Sequence, residues 1–161
     1  MHDIRTQRHD ALLDLLERDI SAIDSCVVLA REPTLRTPEG VQRPDLDHGP
    51  DTVVVDVQVT SDMDVVTARN LKCERYRTEG VAQAISEQLR GGRPLERLSC
   101  ISLTVNWRGC VSPESVRDLL QLGIPKWKTS GYSQRAVVGS FTTYTIFRRT
   151  ASGIADRAGI G

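Results

Sequence analysis

Three groups of residues have the types and spacing to do chemistry. Asp56 stands inside the string VVVDVQV, where an ionised carboxylate gives up water that apolar neighbours do not replace. A divalent cation would compensate it, because a hard ion such as Mg²⁺ binds carboxylate oxygens fixed on a rigid element. A structural carboxylate, paired with an arginine or capping a turn, fits the same position, so Asp56 alone leaves both readings open. Asp45 adds weight to the metal: RPD precedes the charged turn DHGPD, which leads into the Asp56 segment. A hairpin through that turn brings the two carboxylates together, and such a pair repels and raises one pKa unless a cation screens it. Arg69, Lys72 and Tyr76 form the third group, at helical three- and four-residue spacing on one face. A lysine there would stabilise charge on a phosphoryl centre or orient an attacking water. Arg69 would contact a phosphate and Tyr76 would hydrogen-bond within the site. Taken alone, that face also reads as a solvated basic stripe with Glu74 and Glu79 nearby.

The elements that must position these groups follow from periodicity. Leu12, Leu13, Leu15, Leu16, Ile20 and Ile23 recur at helical spacing and predict an amphipathic helix from His9 to about Asp24. SCVVLA at 25–30 reads as a buried strand, and Pro33, Pro38, Gly40 and Pro44 then punctuate a loop with a short strand around Arg43 to Leu46. TVVVDVQVT at 52–60 has Val53, Val55, Val57 and Val59 on one face and Val54, Asp56 and Gln58 on the other, which predicts a central strand. A helix over 62–90 follows, capped by Ser61 or Asp62 and ended by Gly91-Gly92. CISLTVNW reads as a strand, and SPESVRDLLQLG as a helix with Ser112 at the N-cap and Pro113 at its first position. SQRAVVGSFTTYTIFRR carries both β-branched residues and helical spacing, and is read as a helix; SGIADRAGIG reads as a flexible tail. The order predicts an α/β domain over residues 1–150 around a mixed β-sheet flanked by helices, with residues 151–161 as the tail.

Composition narrows the alternatives. Twenty-one basic and twenty-one acidic residues cancel, so any contact with nucleic acid must use local patches. After residue 98, Arg108, Arg117, Lys126, Lys128, Arg135, Arg148 and Arg149 stand among few acids, a composition that suits phosphate contacts. Trp107 and Trp127 would stack on unpaired bases or pack internally. Cys26, Cys73, Cys100 and Cys110 are too scattered for a zinc cage or a disulfide framework and read as reduced intracellular thiols. No apolar run approaches the roughly 20 residues of a membrane span, and no secretory signal opens the chain, so a soluble protein is expected. Among further acids, Glu32 after the first strand is the better supplementary metal ligand, Glu17 reads as solvent-facing, and His9 reads as a capping or packing residue.

RPD, VVVDVQV and ARNLKCERY together resemble the PD-(D/E)XK nuclease signature, in the form found in restriction-like endonucleases of site-specific non-LTR retrotransposons. The resemblance implies a restriction-endonuclease-like core in which Asp45 and Asp56 hold Mg²⁺ (or Mn²⁺), with Lys72 assisting hydrolysis and Tyr76 beside it. Where the general pattern has lysine two positions after the strand acid, this chain has Gln58, and in the retrotransposon branch the lysine moves to the following helix. RHD at 8–10, REP at 31–33, TVNWRG at 104–109 and SVRDLLQLGI at 115–124 extend the likeness along the chain. It implies a nuclear enzyme that nicks DNA to prime reverse transcription, contacting it through Arg69, Arg108, Lys126, Lys128 and Arg135. Its partners would be upstream reverse transcriptase and zinc-knuckle domains of one polyprotein, and a second copy as a homodimer. A stand-alone nuclease similar to Holliday-junction resolvases, acting on branched DNA, and a non-catalytic DNA-binding module are the rival readings.

Overall fold

The alternating valines of the central segment form a strand with each face against a different layer of helices, as a computed structural model of the chain shows. Residues 2–23, 29–48, 53–61, 64–95 and 97–157 are described. The elements run α1 (His2–Ile23), β1 (Leu29–Arg31), β2 (Leu35–Thr37), β3 (Gly40–Gln42), β4 (Leu46–His48), β5 (Val53–Thr60), α2 (Val65–Tyr76), α3 (Glu79–Leu89), β6 (Ser99–Asn106), α4 (Pro113–Gln121), a 3-10 turn (Lys126–Lys128) and α5 (Thr129–Arg157). The main sheet has the order β1-β4-β5-β6, antiparallel except for the parallel pair β5–β6 that α2 and α3 connect. It is a mixed sheet flanked by helices, as the sequence predicts.

Val55 and Val57 of β5 join Leu12, Leu13, Leu16 and Ile20 of α1, Leu119 of α4 and Tyr132 and Ala136 of α5 in one apolar cluster. Val54, on the opposite face, packs with Cys73 and Tyr76 of α2 and Val81, Ala84 and Ile85 of α3. The period of two is thus satisfied by burial on both sides, which is why both faces of this strand are apolar. Strand β6 lies at the sheet's edge and is covered there: Val105 bridges Val111, Ser112 N–H donates to Thr104 O, and Ser115 Oγ accepts from Thr104 N–H at 3.0 Å. That strap pairs the edge groups that would otherwise invite another strand.

Several local expectations are corrected. The segment 62–90 is two helices, because Thr78 leaves the helical path and caps α3 by accepting from Val81 N–H, and the cap of α2 is Asp64, which accepts from Thr67 N–H at 2.9 Å. Asp62, the other proposed cap, lies outside the described residues. The proline-rich loop holds a hairpin, β2–β3, turning at Pro38-Glu39 and pinned to α3 where Gln88 exchanges two hydrogen bonds with the backbone of Arg36. The strand expected around Arg43 to Leu46 begins only at Leu46. Of SCVVLA, residues 25–28 lie outside the description, as does Cys26; residues 29–31 form β1. The Ser112 cap and Pro113 start of α4 stand as read, and the ambiguous segment 133–149 lies within one helix, α5, which buries Ala136 and leaves most of its large apolar side chains exposed. Among the described residues no helix is long and apolar enough to cross a membrane.

Candidate active site

Antiparallel pairing sets Leu46 opposite Val55, and one further step along that register sets Asp45 opposite Asp56. The turn expected to fold them together includes residues 49–52, outside the described residues, but the strands it joins pair as a hairpin. Both carboxylates are buried, Asp45 at 8% exposure and Asp56 at 1%. Like charges directly opposite on a sheet destabilise it, so the position is retained against a cost.

Each carboxylate is held by its own partners. Asp45 Oδ2 accepts from Val57 N–H at 2.6 Å and lies 3.1 Å from His9 Nε2. His9, expected from the sequence as a capping or packing residue, stands at this site instead. A signal was present, since His9 shares a helical face with Leu13, Leu16 and Ile20, all buried. The hydrogen bond to Asp45, aided by the nearby charges of Asp45 and Asp10 and opposed by burial, pushes the imidazole up to about 9, so it is a cation at neutral pH. Asp56 Oδ1 accepts from Lys72 Nζ at 3.1 Å and from Tyr76 OH at 3.3 Å, and Tyr76 OH also lies 3.1 Å from Arg43 O. Burial first, then the charge of Asp45, pushes the Asp56 carboxyl up to about 6, with Lys72 and Tyr76 pulling the other way. Burial beside these acids also drives the Tyr76 phenol well above its usual range, so it stays a neutral donor.

The second oxygen, Asp56 Oδ2, is buried and accepts no hydrogen bond. An orphaned oxygen on a carboxylate that stands cross-strand from a second one is what a divalent cation would satisfy. Among the described residues no three His, Cys, Asp or Glu side chains cluster about one point. Two carboxylates nonetheless suit Mg²⁺, which is commonly bound by one or two of them and completes its shell with water and phosphate oxygens. The residues present therefore fit the ion. Glu32 is exposed and lies beside this pair through its backbone: its N–H donates to Asp45 O at 2.7 Å, and its φ of 46° is the one left-handed non-glycine conformation among the described residues.

Gln58, two residues beyond Asp56, turns into the sheet and donates to Thr104 Oγ1 at 2.8 Å, leaving the cationic role to Lys72 on α2. Arg69, one turn before Lys72, is ion-paired with Asp118 of α4. Lys128 is bonded to the buried Asp19 at 2.6 Å, whereas Lys126 and Arg135 are exposed, and Arg108 lies over the Trp107 ring with 4.9 Å between its guanidinium carbon and the ring centre. The structure thus brings Asp45, Asp56, Lys72 and Tyr76 together and distributes the remaining basic residues over α2, the turn after β6, the 3-10 turn and α5.

No protein-family model matches the chain. It is 26% identical over 151 residues to the retrovirus-related Pol polyprotein from type-1 retrotransposable element R2 of Nasonia vitripennis. It is 28% identical over 155 residues to the retrovirus-related Pol polyprotein from type-2 retrotransposable element R2DM of Drosophila melanogaster. The alignments cover 92% and 91% of this chain, and 14% of each of these curated relatives. Over nearly all of its length, then, the chain is similar to a segment of R2 retrotransposon Pol polyproteins.

Proposed function

We propose that the chain is a metal-dependent DNA endonuclease that nicks one strand by phosphodiester hydrolysis. The observation that carries this reading is the buried, unpartnered Asp56 Oδ2 opposite Asp45, with the Lys72 ammonium on the other Asp56 oxygen. When bound by Asp45 and Asp56, Mg²⁺ or Mn²⁺ supplies a Lewis acid that acidifies water and screens phosphate charge. The chain's own residues do the rest. Val57 N–H and His9 fix Asp45 by one oxygen, and Tyr76, tied to Arg43 O, fixes Asp56 by the oxygen that it shares with Lys72. Lys72 keeps 31% of its side chain exposed, so ammonium protons not used on Asp56 can meet charge developing on a scissile phosphate.

The similarity to R2 Pol polyproteins supports placing this activity within a non-LTR retrotransposon, where the nick would prime reverse transcription in the nucleus. The partners on this reading are target DNA and the reverse transcriptase and zinc-knuckle domains of the same polyprotein. Incubation with supercoiled plasmid tests the activity: nicking is expected with Mg²⁺ or Mn²⁺ and none with chelator. Asp45→Ala, Asp56→Ala and Lys72→Ala, each checked for a folded melting transition, should lose at least a hundred-fold in rate, in keeping with the loss of a preorganised electrostatic group. Undiminished nicking by all three would sink the site.

A further inference from the structure

Helix α5 packs its first turns on α1 and then presents large apolar side chains to solvent. Phe141 is 69% exposed and Tyr144 58% exposed, and with Val137 they recur at i, i+4 and i+7 along one helical face. Beside them stands the turn after β6, and together they line a groove of about 590 Å³ formed by Trp107, Arg108, Val137, Ser140, Phe141 and Tyr144. An exposed aromatic patch of this kind marks a contact surface.

The turn is held in place for that use. Asn106 Oδ1 accepts from the N–H groups of Arg108 and Cys110 at 3.0 and 2.8 Å, and Gly109 N–H donates to Asn106 O at 2.9 Å. Gly109 adopts φ +85°, and a Cβ there would come within 2.8 Å of Ser133 O and of Val137 Cγ2, so only glycine lets the turn press against α5. Trp107 and Arg108 are thereby presented as a rigid pair, the guanidinium stacked over the indole.

Charge identifies the occupant. Among the described residues Arg108 is the one charged residue lining the groove and no carboxylate lines it, and between Asp118 and Asp156 the sequence has no acidic residue. Aromatic faces interleaved with arginine in the absence of carboxylates suit bases stacked on the rings and phosphates beside the cations. Bases in a duplex already stack on each other, so the surface calls for unpaired ones. We propose that this groove binds a few unpaired nucleotides of a DNA strand next to the scissile phosphodiester. The proposal rests on the nuclease reading for its placement. Trp107 N–H donates to Thr60 O, and Thr60 lies four residues beyond Asp56 on β5, about 13 Å along the strand. On the other side Ser140 Oγ accepts from Arg8 at 2.9 Å, and Arg8 precedes the His9 that binds Asp45.

Binding of a fluorescein-labelled thymidine oligonucleotide, measured in chelator so that no cutting occurs, tests this. The wild type should bind the single strand more tightly than a duplex of equal length. Phe141→Ala and Tyr144→Ala should each weaken single-strand binding about ten-fold, a typical loss for one stacking ring, with melting temperature unchanged because both rings are exposed. Val41→Ala, at an exposed apolar residue on β3 away from the groove, should bind as the wild type does. Unchanged single-strand affinity in the Phe141→Ala/Tyr144→Ala double variant overturns the proposal, and so does a dimer in sedimentation that this double variant dissolves without altering affinity. Groove-dependent binding by a protein that cuts no DNA would leave the groove standing and remove the nuclease; metal-dependent cutting with unaltered affinity in the variants would do the reverse.

Discussion

Replacing Asp56 by asparagine should stabilise the metal-free protein while abolishing its chemistry. At neutral pH the wild type must hold a carboxylate whose pKa burial and Asp45 have pushed from 3.8 to about 6. That rise corresponds to about 3 kcal/mol of native-state destabilisation once the group ionises, at 1.36 kcal/mol per pKa unit. Asparagine keeps an acceptor for Lys72 and Tyr76 and carries no charge, but its amide hydrogens replace an oxygen with no partner, which costs about 1 kcal/mol. The net gain of about 2 kcal/mol raises the melting temperature by about 4–8 °C for a domain of this size. The sign with pH follows from a carboxyl whose folded pKa is raised: its stabilising contribution is full below 3.8 and is lost as pH rises through about 6. The gap between variant and wild type should therefore be widest at pH 7.5, close as pH falls through 6, and reverse slightly near pH 4, where only the cost of the amide remains, in thermal melts run with chelator. A variant that melts below the wild type at pH 7.5, or a gap that does not change with pH, would refute the reasoning.

Other outcomes follow from the same site. Lys72→Met removes both the charge and the hydrogen bond that hold the Asp56 carboxyl down, so in melts with chelator the pH-dependent loss of stability should move to higher pH. The His9 imidazole, raised to about 9 chiefly by its bond to Asp45, contributes stability that is full below its ordinary pKa of 6.5 and is lost as pH rises through about 9. The destabilisation caused by His9→Ala should accordingly be largest near pH 6 and fade above pH 9 in denaturant titrations, and the His9 ring protons should titrate near pH 9 in NMR spectra.

The parts of the fold legible in the sequence were those whose pattern is fixed by burial. Strand β5 reads directly because every residue from Val53 to Val57 except Asp56 is apolar, and α4 reads directly because Ser112 and Pro113 mark its start. Asp45, Asp56 and Lys72 converge as their spacing suggests, since pairing register and helical periodicity are short-range rules. What did not read were features set by tertiary contact. The β2–β3 hairpin has three-residue strands with little alternation, and it is held by Gln88 of a helix 52 residues away from Arg36. The break at Thr78 costs the chain no apolar periodicity, because α2 and α3 pack against the same cluster, so nothing in the pattern announces it. The Arg69–Asp118 pair joins α2 to α4, and no local spacing predicts which acid an arginine on a basic-looking face will meet. His9 was legible in principle, as a polar residue on the inward face of α1, but its partner depended on where Asp45 would stand.

The central claim is that Asp45 and Asp56 form a metal site, and calorimetric titration of the folded wild type with Mg²⁺, and with Mn²⁺, at pH 7.5 tests it most directly. Saturable binding is expected, with the heat lost in both Asp45→Asn and Asp56→Asn. Binding that persists in both variants, or no saturable binding of either ion to the wild type, would contradict the account.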